Sequence, residues 1–139
     1  MVTVIVETGK SRVLPALLAG LVPAALDGIV RQVVVVAAEP SPATLEICDD
    51  AGADLAESYT QAVEMARSEV LLVLAEDMRL PPDWSERLAA HLSGGGRAGR
   101  LKGPRQGWLR RGPDGVLVKR DAAGAGLAQL RRRAGLPRI

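Results

Sequence analysis

Short, nearly unbroken aliphatic runs alternate, over residues 1–92, with longer stretches whose apolar positions recur at helical spacing. Residues 2–6 (VTVIV), 32–38 (QVVVVAA) and 70–74 (VLLVL) are the runs. They are too short to cross a bilayer and rich in β-branched or aliphatic side chains, which predicts strands buried on both sides of a parallel sheet. Residues 53–56 predict a further short strand. Between the runs, Val13, Leu14, Leu17, Leu18 and Leu21 share one face of a helix. Pro23 is expected to interrupt it and to leave 24–29 as a second short piece ending near Gly28. Ser41 followed by Pro42 predicts a helix start, with Ile47, Cys48 and Ala51 facing the sheet and Gly52 as the stop.

Ser58-x-x-Gln61 has the capping-box form, and Tyr59, Ala62, Val63 and Ala66 make a helical stripe behind it. Pro81-Pro82 opens a helix over 82–92 with Trp84, Leu88 and Leu92 inward. The resulting order, βαβαβαβα, implies parallel strands joined by right-handed crossovers, hence a three-layer α/β/α sandwich with a mostly parallel central sheet. Gly94-Gly95-Gly96 breaks the pattern. Beyond it, residues 108–111 and 116–119 flank Gly-Pro-Asp-Gly and predict a hairpin, and 127–133 predict a last short helix with Gly135 past its end. Residues 1–92 therefore form an α/β core, and residues 93–139 a basic Gly/Arg-rich segment completing the same domain.

Charge changes this picture more than composition does. Residues 1–96 carry 6 Lys/Arg against 14 Asp/Glu, whereas residues 97–139 carry 12 against 2. The basic segment is expected either to fold back over the acidic body or to meet an external anion, such as an anionic membrane surface or a protein partner. Trp108 alone stands among Arg110, Arg111, Arg120 and Arg131-Arg132-Arg133, so no stacking platform for nucleic acid is expected. One cysteine, Cys48, allows no intrachain disulfide, and Glu7 follows too short an apolar start for a signal peptide. A cytoplasmic location, with peripheral membrane contact through the basic segment as an option, is the expectation. His91 and Cys48, each the single residue of its type, offer no zinc set and no nucleophile–base pair.

Candidate chemistry collects at the ends of the strands. The run 70–74 stops at Ala75-Glu76-Asp77, and open α/β sheets bind ligands at the carboxyl ends of their strands. Glu7 and Thr8 follow the first strand and Glu39 follows the second, so Glu7, Glu39 and Asp77 are candidates for one rim. Gly9-Lys10-Ser11-Arg12 suggests a loop that could surround a phosphate, although it lacks the upstream Gly of the P-loop spacing.

Four stretches carry a resemblance: VTVIVETGKSRVLPALLAGLVPAALDGIV, RQVVVVAAEPSPATLEICDDAGA, YTQAVEMARSE and, most specifically, VLLVLAEDMRLPPDWSERLAAHL. Together they resemble the nucleotide-sugar-binding half of family 2 glycosyltransferases, which have the GT-A fold. The resemblance implies a GT-A-like sandwich binding a nucleotide-diphosphate sugar through Glu7, Thr8, Glu39, Glu76 and Asp77. It also implies Mg²⁺ or Mn²⁺ at Asp77 and Glu76, since a cation on hard oxygen ligands neutralises the diphosphate leaving group. This chain departs from the family's equipment at named positions. Ala75 stands where Asp-x-Asp begins, Ala37 aligns with the base-contacting Asp, and the acidic pair ahead of the last helix has no counterpart. A catalytically inactive GT-A-fold binding module is thus the alternative, with a nucleotidyltransferase-like enzyme using the 9–12 loop behind it.

Overall fold

The computed structural model describes residues 1–9, 13–103 and 114–139. The expected phosphate loop at 10–12 and the first arm of the expected hairpin, 108–111, lie outside the described residues. Strand β1 (Val2–Glu7) leads into helix α1 (Leu14–Leu26), β2 (Val30–Val36), α2 (Pro42–Ala51), β3 (Asp54–Ala56), α3 (Tyr59–Met65), β4 (Val70–Ala75) and α4 (Trp84–Ser93). Short strand β5 (Gly99–Leu101), strand β6 (Gly115–Lys119) and helix α5 (Leu127–Arg131) complete the order, with a 3-10 turn at Arg120–Ala122.

These strands form one six-stranded sheet in the order β3-β2-β1-β4-β6-β5. β1 pairs parallel with β2 and β4, and β2 parallel with β3, as the alternating pattern requires. β6 is antiparallel to both β4 and β5. Residues 116–119 therefore pair with β4 along their whole length, and Gly115, Val116 and Leu117 pair on the other side with β5, with Arg100 opposite Val116. At Gly115 the strand passes so close to Leu74 that an added Cβ would lie 2.4 Å from its side chain, which leaves no room there for a larger residue.

Alternation along the strands builds two separate cores. Val2, Val4 and Val6 of β1, with Leu72 and Leu74 of β4, pack against Leu17 and Leu21 of α1, Cys48 of α2 and Leu88 of α4. Ile5, Val34, Leu71, Val73 and Val116 point the other way, onto Tyr59 and Ala62 of α3 and Leu127 and Leu130 of α5. A mostly parallel sheet thus lies between two helical layers, and both of its faces are apolar for the reason parallel sheets usually are.

Several element boundaries differ from the pattern-based expectation. Pro23 sits inside a single continuous α1. Its ring removes one hydrogen bond to the Ala19 carbonyl, yet Leu21 and Ala24 on either side are buried and hold the helix through it. β2 starts at Val30, before Gln32, and ends at Val36. α4 starts at Trp84 because Pro81 and Pro82 lie in the preceding turn, which the Trp84 amide closes onto the Pro81 carbonyl at 3.0 Å. α5 stops at Arg131.

Gln32 explains why β2 begins early. Its side chain accepts from Thr3 Oγ1 at 3.2 Å and the Arg67 amide at 2.9 Å, and donates to Asp54 at 2.7 Å and the Met65 carbonyl at 3.2 Å. This satisfied network joins three strands to the end of α3, with Thr3 fully buried. At the far edge, residues 137–139 run beside β5: the Arg100 amide donates to Pro137 and the Ile139 amide to Arg100. Ile139 is buried beside Gly99 in the α1/α4 core, and the exposed edge of β5 is covered.

Among the described residues, no salt bridge joins the basic segment to the acidic body. Among the described residues the salt bridges are Arg87–Asp83, within the body, and Arg100–Asp114, within the basic segment. Three of its arginines donate to backbone carbonyls: Arg100 to Arg131 and Arg133, Arg120 to Ala66, and Arg131 to Asp114. Among the described residues, no helix is long and apolar enough to cross a membrane.

Candidate functional site: a cleft at the reversal of strand order

From β1 the chain steps outward to β2 and β3, then returns to the other side of β1 for β4. The carboxyl ends of β1 and β4 therefore flank the point where strand order reverses, the place where open α/β sheets leave a crevice. A cleft of about 620 Å³ opens beside it, on the α1/α2 side of the sheet. Thr8 and Gly9 from the end of β1, Glu76 from the end of β4, and Ala37, Glu39 and Pro40 from the end of β2 contribute to its walls. The first turn of α1 adds Leu14 and Pro15, and the start of α2 adds Ser41, Ala43 and Thr44. Two helices thus begin at one cavity. Their N-termini carry partial positive charge.

Local sequence accounts for this convergence. Ser41 is extended and accepts the Thr44 amide at 3.1 Å, and Pro42 follows, so α2 starts where a side-chain cap and a ring with no N–H both favour it. Thr8 donates to the Val36 carbonyl at 2.6 Å and ties the end of β1 to the end of β2. Glu76 is 5 % exposed, and its Oε1 accepts the Gly9 amide at 2.9 Å, which tethers the β1–α1 connection to the end of β4.

The structure brings some of the sequence candidates together and separates others. Thr8, Glu39 and Glu76 line the cleft. Asp77 does not: the turn at 75–78 closes when the Met78 amide donates to Ala75 at 3.1 Å, Met78 enters the core, and Asp77 is left exposed. Glu7 belongs to the opposite face, because it is two residues on from Ile5 in a strand whose side chains alternate. Its Oε2 accepts the Leu127 amide at 3.3 Å, at the start of α5. Gly126 makes that approach feasible. Its φ is 141°, and an added Cβ would lie 2.9 Å from Glu7 Oε1.

Burial pushes the Glu7 carboxyl above its ordinary range, opposed by the Leu127 amide and by the charge of Arg131. Nearby, Tyr59 donates to the Ala123 carbonyl at 2.6 Å. Burial, with the Glu7 charge adding to it, pushes the Tyr59 hydroxyl up to about 12. Burial likewise raises the Cys48 thiol, which faces the core as its helical position predicts.

A cation held by Asp77 and Glu76 would need their oxygens to converge. Glu76 faces the cleft while Asp77 does not line it, and among the described residues no three His, Cys, Asp or Glu side chains come together to hold a metal ion. The rim of Glu7, Glu39 and Asp77 is likewise dispersed over the cleft, the α5 side and solvent. Of the 9–12 loop, Gly9 is described, and its amide already serves Glu76.

Sequence reasoning missed the contribution of Leu14, Pro15, Ala43 and Thr44. The signals were present, since a helix capped at Ser41 and directly following a strand must begin at the strands' carboxyl rim. Ile47, assigned by its spacing to the sheet, packs against the core and also reaches the cleft. The chain matches no protein-family model, and a search of curated proteins finds no match.

Proposed function

We propose that the cleft binds a nucleotide-diphosphate sugar and that the protein is a glycosyltransferase-like member of the GT-A group. One observation carries the reading: the N-termini of a 13-residue and a 10-residue helix meet in a single cavity at the reversal of strand order. Converging helix N-termini suit phosphate oxygens through their dipoles. The volume suits a nucleotide. The mostly parallel sheet and the likeness of the 70–92 stretch to family 2 sequences support the same reading.

A second reading, binding without transfer, is favoured by the placement of the carboxylates. Sugar transfer asks for a group that neutralises the departing diphosphate and a base for the acceptor hydroxyl. Glu7 is engaged with α5, Asp77 lies off the cleft, and Glu76 holds Gly9. The described residues thus bind and orient better than they catalyse.

Calorimetric titration with UDP-, GDP- and dTDP-sugars, with and without Mn²⁺, tests the first reading. Saturable binding lost in Ala43→Trp, which fills the cleft from an exposed helix position, is the expected result. Absence of binding by every nucleotide sugar at millimolar concentration overturns it. Nucleotide release in the presence of candidate acceptors separates transfer from binding alone.

A further inference from the structure

Helix α1 has no polar face. From Val13 to Leu26 the sequence carries no charged or hydrogen-bonding side chain. Leu17 and Leu21 enter the core, whereas Pro15, Ala16, Ala19, Val22, Pro23 and Leu26 are exposed and follow one another along the outward side. Val22 is 50 % exposed and Leu26 83 %. A surface helix ordinarily turns charged or polar residues to that side. Of the five large hydrophobics exposed among the described residues, three, Val13, Val22 and Leu26, belong to this helix and its cap. The apolar exposure is therefore concentrated, and a concentrated apolar surface marks a contact with another body.

Shape, charge and surroundings specify that body. The outward stripe is graded in height: Pro15, Ala16 and Ala19 form a low half, Val22 and Leu26 a raised one. A second α1 laid antiparallel, about a two-fold axis passing between Ala19 and Val22, sets each raised half on the other's low half. Leu26 then meets Pro15, and Val22 meets Ala19, as an isologous contact requires. The ends match as well. α1 has no acidic residue in its first turn and no basic one in its last, where Asp27 caps it. Asp27 thus lies at the negative end of its own helix, and an antiparallel copy brings its positive end alongside. An anionic lipid surface does not fit. Glu46, Asp49 and Asp50 are exposed on the adjoining α2, and Arg31 is the one basic residue in the sequence from 13 to 66.

We propose that the outward face of α1 is the interface of a two-fold dimer of this chain, with the two α1 helices antiparallel. The proposal goes beyond the nucleotide-sugar reading and does not depend on it. A 13-residue helix offers a face about 20 Å long and about 10 Å wide. That is well short of the about 800 Å² per partner of a standard interface, so the dimer is weak and dissociates at tens of micromolar, roughly. Pro15 also lines the cleft, so Leu26 of each copy comes to the rim of the other's cavity.

Sedimentation equilibrium of the intact protein without nucleotide, from about 1 to about 500 µM, tests this. A monomer–dimer equilibrium is the expected result. Leu26→Glu should raise its dissociation constant at least about tenfold, because the contact then buries unpaired carboxylates. Leu26 is 83 % exposed in the single chain, so the substitution leaves the core intact, and circular dichroism verifies folding. Ala19→Met should also weaken the dimer by filling the low half, whereas a face that associates through apolarity alone would bind more tightly. Leu26→Cys should not cross-link efficiently to its own copy on oxidation, since the antiparallel register holds the two positions about 16 Å apart. A monomer at every concentration overturns the proposal, as does a dimer that survives Leu26→Glu or is strengthened by Ala19→Met. Efficient cross-linking of Leu26→Cys overturns the antiparallel arrangement. A monomer that binds phosphatidylserine vesicles, and loses that binding in Leu26→Glu, overturns the proposal in favour of a lipid partner.

Discussion

Glu7 combines three properties that are separable by substitution: a half-buried carboxylate, an acceptor for the Leu127 amide, and a neighbour of Tyr59. Because burial raises its folded-state pKa, the folded protein holds this proton more tightly than the unfolded chain does. The stabilisation it provides is complete below the ordinary value of 4.5 and declines as pH rises through the raised value. Glu7→Gln keeps an acceptor for Leu127 and removes the titration. Urea unfolding measured from pH 4 to pH 7 is expected to show the variant losing less stability than the wild type over that interval. An unchanged pH dependence would mean that Glu7 is fully solvated. That Glu7 would face α5 was legible in principle, from the two-residue period of β1. What it would meet there was not, because Leu127 is 120 residues away and carries no mark of the contact.

Strands and helices were read from the sequence where a period or a cap specified them. The caps at Ser41 and Ser58 form as written, each hydroxyl accepting the amide three residues on. Gln61 reaches back to the Glu57 amide, one residue before its cap. Boundaries failed where tertiary contacts outweighed the local signal, at Pro23 and at Gln32. A polar residue next to four valines reads as a strand end, yet Gln32 is 9 % exposed and joins β1, β3 and the end of α3. Gln32→Leu would leave the Arg67 amide and Asp54 without that partner. It should cost about 2 kcal/mol in denaturant unfolding, in line with buried polar groups that lose theirs. A cost near zero would show that water replaces the amide without loss. The pairing of β5 with β6 was illegible for another reason: three residues, Gly99–Leu101, give too short a pattern to register.

Across the domain, the charge division seen in the sequence does not translate, among the described residues, into salt bridges between its halves. Arg100, Arg120 and Arg131 of the basic segment close onto carbonyls, and the two described salt bridges each stay within one half. Stability should therefore respond weakly to ionic strength. Between about 0.1 and 1 M salt, where the screening length falls from about 10 to about 3 Å, unfolding free energy is expected to change by less than about 1 kcal/mol. A steep loss with salt would show that the halves attract at longer range. The candidate site was legible as a rim and not as a set. Strand ends could be counted from the sequence, but the turn that sends Asp77 outward depends on Met78 finding the core. The neighbouring side chains of Glu7 and Thr8 serve different compartments, one beneath α5 and the other at the cleft. Inserting a single residue into β1 would exchange them, sending a carboxylate into the binding cavity and a hydroxyl under the C-terminal helix. The length of that strand is consequently constrained more tightly than its composition: valine for isoleucine is tolerable there, and an extra residue of any kind is not.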